Sequence, residues 1–341
     1  MSASLPGPDM DTPRRRVSWG HVAAISGKVL LSIGLFAFLF QRVRFDQVFA
    51  AIRAADGHWL LAAFALFIFS NVLGSYQWGR LLHVVEIRIP FWKVFAYYHV
   101  GLFFNNFLPA NIGGDIARVS DASRYGPTKT AALSAVLMDR MVGTVSLAGL
   151  ALLTTLPVLD RFHLTLVYLA LVGFFALSVA MVWAVFHPAV LPALERLLAR
   201  VGLGGLGPHL DDLAERLHGY RGQRGLFARL LLVGVLTQVS RILVHVLVAH
   251  ALRIDVPLIY FFLFVPLLAV IVSLPISLNG IGVREGAGIV LFGMVGVDRA
   301  HAFSLQFTTY LVAVSVSLLG GLVYLVRIPH RRAASRDNRR S

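Results

Sequence analysis

The chain has 341 residues, of which 57% are hydrophobic and 14% charged, against about 25% charged in a soluble domain; with a mean hydropathy of +0.74 it reads as a polytopic membrane protein without room for a sizeable soluble domain. The formal charge of +14 is explained by basic cytoplasmic loops before nucleic-acid binding needs to be invoked. The absence of cysteine excludes disulfides, thiolate metal sites and a Cys nucleophile.

In chain order, a cytoplasmic tail over 1–19 carries Arg14, Arg15 and Arg16 and leads into an apolar run at 20–40. That run is long, contains Lys28 and lacks a small-x-small cleavage site, so it is predicted as an uncleaved first span. A second span covers 58–83. The aromatic-rich run from Phe91 to Phe107 then meets a break, Leu108-Pro109-Ala110-Asn111-Ile112-Gly113-Gly114-Asp115-Ile116-Ala117-Arg118. Pro109 ends a helix because it lacks an N–H and clashes with the preceding turn. Gly113 and Gly114 allow a sharp turn and close approach of a ligand. Asp115 stands where an N-cap or pairing carboxylate belongs, and a helix through Arg118 follows. Broken backbone survives at membrane depth only inside protein or beside a water-filled cavity, so 91–125 reads as a re-entrant hairpin.

Spans follow at 128–157 and 164–186, completing a first membrane half over 20–187. Asp139 and Arg140 are adjacent in the first of these and point about 100° apart, so they need different partners. The stretch 188–226 is a cytoplasmic connector with two amphipathic helices, 189–200 and 209–221. The second half, 227–327, opens with a span at 227–251 in which Gln238, Arg241 and His245 share one face. A second break, Leu274-Pro275-Ile276-Ser277-Leu278-Asn279-Gly280-Ile281-Gly282-Val283-Arg284-Glu285, follows another aromatic-rich run. Here Pro275, Asn279, Gly280 and Gly282 make the turn, and Arg284 and Glu285 begin a helix too short to cross a bilayer. The second hairpin is 257–297; a last span at 300–327 and a basic tail at 328–341 complete the chain.

With the N-terminus in the cytoplasm, 21 of the 31 Lys and Arg fall on the cytoplasmic side and 7 on the other, which favours both termini inside. The unit 58–157 then starts outside and the unit 227–327 inside. The expected fold is all-α, with about six full spans, two re-entrant hairpins and an inverted repeat.

The arginines are the candidate ligands for an anionic headgroup: Arg118 and Arg284 at the breaks, with Arg140 and Arg241 inside spans. A guanidinium fork suits phosphate, and charge at membrane depth faces a cavity or a partner. The competing explanations are a solvated Arg beside a capped loop and a structural ion pair such as Asp139 with Arg241. Tyr97, Tyr98, Trp59, Trp78 and Trp92 lie near predicted boundaries and read as interfacial anchors. His245 and His250 are spaced off-face for a metal, and neither a P-loop nor a GxSxG motif is present. Neither cofactor, metal nor catalysis is expected.

Together the string Asn105-Asn106-Phe107-Leu108-Pro109 with Gly113-Gly114-Asp115 and Arg118, the pair Asp139-Arg140, and Pro275 with Gly280-Ile281-Gly282-Val283-Arg284-Glu285 resemble the flippase-like family of the lysylphosphatidylglycerol synthase transmembrane region. Asp139 stands where that pattern has Glu. The resemblance covers about 20–327 and implies movement of a lipid or lipid-linked headgroup between leaflets of the bacterial cytoplasmic membrane. Full-length synthases carry a soluble aminoacyl-transferase domain after the membrane part; this chain stops shortly after its last span, so lysyl transfer is not expected of it. A phospholipid, a polyprenyl-phosphate sugar and a hopanoid-type lipid all suit an Arg-lined cleft. The rival readings are an accessory protein docking a lipid-synthesis enzyme through 189–226, and a membrane-embedded lipid transferase, for which only Asp115 and Asp121 offer nearby carboxylates.

Overall fold

The computed structural model describes residues 44–107, 113–158, 165–187, 207–273 and 280–337, and positions 190, 193, 196 and 200 between them. Among the described residues all regular structure is helical: α1 Phe45–Arg53, α2 Gly57–Val84, α3 Phe91–Phe107, α4 Gly113–Ala122, α5 Lys129–Thr155, α6 Thr165–Phe186, α7 Gly207–His218, α8 Arg224–Ala251, α9 Leu258–Ser273, α10 Val283–Gly293 and α11 Arg299–Asp337. Short 3-10 turns follow α4 and α5.

The chain is an all-α membrane protein. Helices α2, α5, α6 and α8, and Arg299–Val326 of α11, are long and apolar enough to cross a bilayer. These five match predicted spans; the sixth, 20–40, lies outside the described residues, as do most of the predicted helix 189–200 and the break residues Pro109, Asn111, Pro275 and Asn279. Helices α4 and α10, of 10 and 11 residues, are about 15 Å long at 1.5 Å per residue and fall well short of a hydrocarbon core. Helix α1 is the element without a sequence signal. It lays Val48 against α11, and its Phe45 ring meets Phe303 edge-on at 5.3 Å.

Local chemistry starts the helices where the sequence permits. Asp56 accepts from the His58 N–H (2.8 Å) ahead of α2, and Thr128 accepts from the Ala131 N–H (3.1 Å) ahead of α5; each satisfies a donor that the first turn leaves unpaired. Inside α9, Pro266 removes the N–H that would bond the Phe262 carbonyl, loosening the helix at a buried position.

The longest packing seam joins α2 to α8. The Asp56 N–H donates to the Ala251 carbonyl (2.9 Å) and the Trp59 ring meets His250 at 5.1 Å, while at the other end Gln77 lies beside Gly234. The start of α2 therefore meets the end of α8, and the two run antiparallel. They are the first helices of two sequentially similar units, each a span, a hairpin and a span. Antiparallel equivalents mean units inverted with respect to one another. The units also exchange partners, since α3 packs on α11 and α9 on α5.

Lipid tails are as apolar as leucine, so helix association here depends on close packing rather than on escape from water. At Gly320 of α11 an added Cβ would overlap the His99 carbonyl of α3, and at Gly234 of α8 it would overlap the Ser146 hydroxyl of α5. Buried side chains form two large clusters at opposite ends of the α2–α8 pair. One surrounds Trp78, Leu82 and Leu230, the other Phe261, Phe264 and Phe292. Helix α6 buries only Leu171 and Ser178 and turns an apolar face outward.

Candidate functional site

The first hairpin is built on backbone contact. A Cβ on Gly114 would overlap the Gly101 carbonyl oxygen, and one on Gly101 would lie 2.8 Å from Cγ of Arg118, so α3 and α4 touch only because both positions are glycine. The Gly114 N–H donates to Asn105 Oδ1 at 2.9 Å, so a side chain of α3 satisfies one of the free donors at the start of α4. Of the two roles expected of Asp115, cap or pairing carboxylate, it takes the second. Helix α4 begins at Gly113, and Asp115 sits in its first turn with its carboxylate free to face sideways.

That carboxylate meets both nearby arginines. Arg140 forks onto Asp115 with Nε–Oδ2 at 3.0 Å and Nη2–Oδ1 at 3.1 Å. Arg118 Nη2 stands 3.6 Å from Asp115 Oδ1, and its Nη1 donates to Asp139 Oδ2 at 2.8 Å. Asp139 also accepts from Gln77 Nε2 at 2.8 Å. The Arg118 side chain is 7% exposed and its guanidinium lies 4.9 Å from the Trp78 ring and 5.4 Å from Tyr98. Two findings follow. Asp139 pairs with Arg118, not with Arg241; and Trp78, Tyr97 and Tyr98 are buried rather than interfacial anchors, a role still open to the exposed Trp59 and Trp92.

The second hairpin turns through Gly280 and Gly282, with φ of +76° and +81°, a region that non-glycine residues avoid. At Gly280 a Cβ would also lie 2.6 Å from Val272 of α9. The Gly282 N–H donates to Glu285 Oε2 at 2.7 Å; Glu285 is 2% exposed and braces the start of α10. The Arg284 guanidinium lies 4.6 Å from the Tyr310 ring of α11.

Between the hairpins lies one cavity of about 520 Å³. It collects Asp115 and Arg118 from α4, Asp139 and Arg140 from α5, Gln238, Arg241 and His245 from α8, and Arg284 from α10. His245 Nδ1–H donates to the Arg241 carbonyl at 3.0 Å, which leaves Nε2 as the ring's other polar atom. Asn106, Gly113, Gly114, Gly280, Gly282 and Glu285 shape the turns without lining this space. Among the described residues no three His, Asp or Glu side chains converge as a metal site requires.

Sequence reasoning did not single out Gln77 and Gln306, read Tyr98 as an anchor and quoted Asn105 only within the family resemblance; all four line the cavity. The signal available for the glutamines was a polar amide inside an apolar span. For Asn105 none separated it from its neighbour Asn106.

Residues 25–328 match the lysylphosphatidylglycerol synthase TM region, and the chain belongs to that family. A UPF0104 membrane protein of Pyrococcus horikoshii is similar as well, 22% identical over 320 residues, covering 87% of this chain and 95% of the relative.

Proposed function

We propose that this member of the lysylphosphatidylglycerol synthase transmembrane family moves an anionic lipid, or a lipid-linked headgroup, between the leaflets of a bacterial cytoplasmic membrane. The observation that carries the reading is the convergence of both membrane breaks on one cavity with four arginines and two aspartates. A charged headgroup pays several kcal/mol or more to enter hydrocarbon without partners. The cavity offers guanidiniums that bond phosphate with paired N–H groups, while the acyl chains remain in the surrounding lipid.

In this reading the cavity binds and releases, and no covalent bond is made or broken. Inverted units with hairpins entering from opposite faces support alternate exposure of a single site to the two sides. The distribution of Lys and Arg supports cytoplasmic termini.

Purified protein in liposomes with leaflet-resolved, fluorescent anionic lipids tests the reading. Wild type is expected to accelerate exchange between leaflets, and Arg241→Ala to reduce that acceleration. Failure to move any of a broad anionic panel would overturn it.

A further inference from the structure

Three of the four cavity arginines have a carboxylate beside them. Arg118 donates to Asp139 at 2.8 Å and Arg140 forks onto Asp115 at 3.0 Å, so these four formal charges cancel. Arg284 feels the attraction of Glu285, its neighbour in sequence. Arg241 is the exception. Among the described residues it makes no ion pair, and its buried Nε has no hydrogen-bond partner. His245 bonds the Arg241 carbonyl through Nδ1–H and is counted neutral. Four arginines against Asp115, Asp139 and Glu285 leave a single positive charge, and Arg241 carries it.

That balance constrains the charge a ligand can bring. The cost of taking an ion out of water grows with the square of its charge, whereas its attraction to one cation grows only in proportion. A monoanion neutralises Arg241 and leaves the cavity balanced. A dianion leaves one negative charge without a counterion away from bulk water, which is strongly unfavourable. The remaining polar lining bonds a headgroup without changing this count. Gln238 and His245 share the Arg241 face of α8 and line the cavity. Gln306 of α11 lines it too and is 0% exposed; Gly288 of α10 makes room for it, since a Cβ there would overlap the Gln306 Cγ. Neither amide atom of Gln306 has a hydrogen-bond partner in the protein, and a buried amide left unsatisfied at both ends is an independent sign of a polar ligand.

We infer that the site selects a lipid whose headgroup carries one negative charge, a phosphodiester, over a phosphomonoester or pyrophosphate carrying two, and that Arg241 is the cation this headgroup neutralises. The inference rests on the proposed lipid-binding role of the cavity and adds its selectivity for charge.

Competition against a fluorescent short-chain phosphatidylglycerol, with the full chain in detergent, tests it apart from transport. The competitors are phosphatidylpropanol, phosphatidic acid and diacylglycerol with identical chains. At about pH 8.5 phosphatidylpropanol carries one negative charge and phosphatidic acid close to two, since the second proton of a phosphate monoester leaves near about pH 6. Wild type is expected to bind phosphatidylpropanol about ten-fold or more tighter than phosphatidic acid, the scale of one unbalanced charge near a protein surface. Asp115→Asn leaves Arg140 without its counter-charge and is expected to close most of that gap. Arg241→Met is expected to weaken phosphatidylpropanol about ten-fold, as loss of a charged hydrogen-bond donor does. Equal or tighter binding of phosphatidic acid by wild type overturns the charge preference, and so does a ratio unchanged in Asp115→Asn. Undiminished binding of phosphatidylpropanol by Arg241→Met overturns Arg241 as the seat of the charge. If neither phospholipid competes better than diacylglycerol, the lipid-binding reading itself fails. A charge preference without leaflet exchange in liposomes sinks the transport reading and leaves the selectivity standing.

Discussion

Arg118 Nη1 and Asp139 Oδ2 lie 2.8 Å apart, at side-chain exposures of 7% and 10%, and so join the short helix of the first hairpin to a membrane-spanning helix. A buried pair of this kind contributes little net stability relative to apolar residues, yet removing one member leaves a charge without its counterion, at about 3–5 kcal/mol. Asp139→Leu leaves Arg118 only the longer contact with Asp115 at 3.6 Å, which Asp115 shares with Arg140, and is therefore expected to lower the unfolding midpoint in detergent. The double variant Arg118→Met with Asp139→Leu is expected to recover much of the loss. A double variant no more stable than Asp139→Leu would show that the pair is not coupled.

The crossing of α3 and α4 depends on Gly114. Backbone blocks the position that a Cβ would take, and backbone, unlike a side chain, has no alternative rotamer. Gly114→Ala is expected to abolish monodisperse protein on size-exclusion chromatography. Gly173→Ala is the control: nothing lies within 4 Å of its Cβ position, and alanine favours a helix by about 1 kcal/mol over glycine. Similar behaviour of the two variants would contradict the close crossing.

Asp298 caps α11, accepting from the Ala300 and His301 N–H groups at 3.0 and 3.1 Å and pairing with the His301 ring. Partial burial opposes its ionisation, but these hydrogen bonds prevail and hold its carboxyl below the usual range. A depressed folded pKa means that the contribution is present above the unfolded value and is lost as pH falls through the folded one. Between pH 5 and pH 3 the wild type is expected to lose more stability than Asp298→Ala does. At neutral pH that substitution is expected to cost about 1 kcal/mol, as other N-cap losses do. Parallel stability curves for the two proteins would remove the cap from this account.

Antiparallel packing of α2 and α8 places Arg53 and Asp255 near one end of the pair and Arg88 and Gln223 near the other. All four are exposed, and the absence of cysteine makes single-cysteine labelling clean. In sealed inverted vesicles an impermeant maleimide is expected to reach Cys at 88 and 223 but not at 53 and 255. Labelling of 88 and 255 from the same side would contradict the inverted arrangement.

Spans were legible in the sequence because burial in lipid is a property of local composition: 20 or so apolar residues cross, whatever surrounds them. The turn at Gly280 and Gly282 was legible for a similar reason, since glycine acts on the backbone where it stands. The antiparallel order of the units followed from counting spans and charges. Partner choice did not follow from any of these. Asp139 meets Arg118 across 21 residues, while sequence offered Arg241 equally well. The start of α4 is satisfied by Asn105 from α3, so Asp115 is released to Arg118, its i,i+3 neighbour on the same helix, and to Arg140, which no local rule would assign to it. Gln306 was one polar residue in an apolar run until Gly288 and the cavity wall gave it a position. Sequence alone determined which charges lie at membrane depth, because hydrocarbon tolerates so few. The tertiary structure alone decided which of them cancel, because cancellation depends on distances of about 3 Å between helices far apart in the chain.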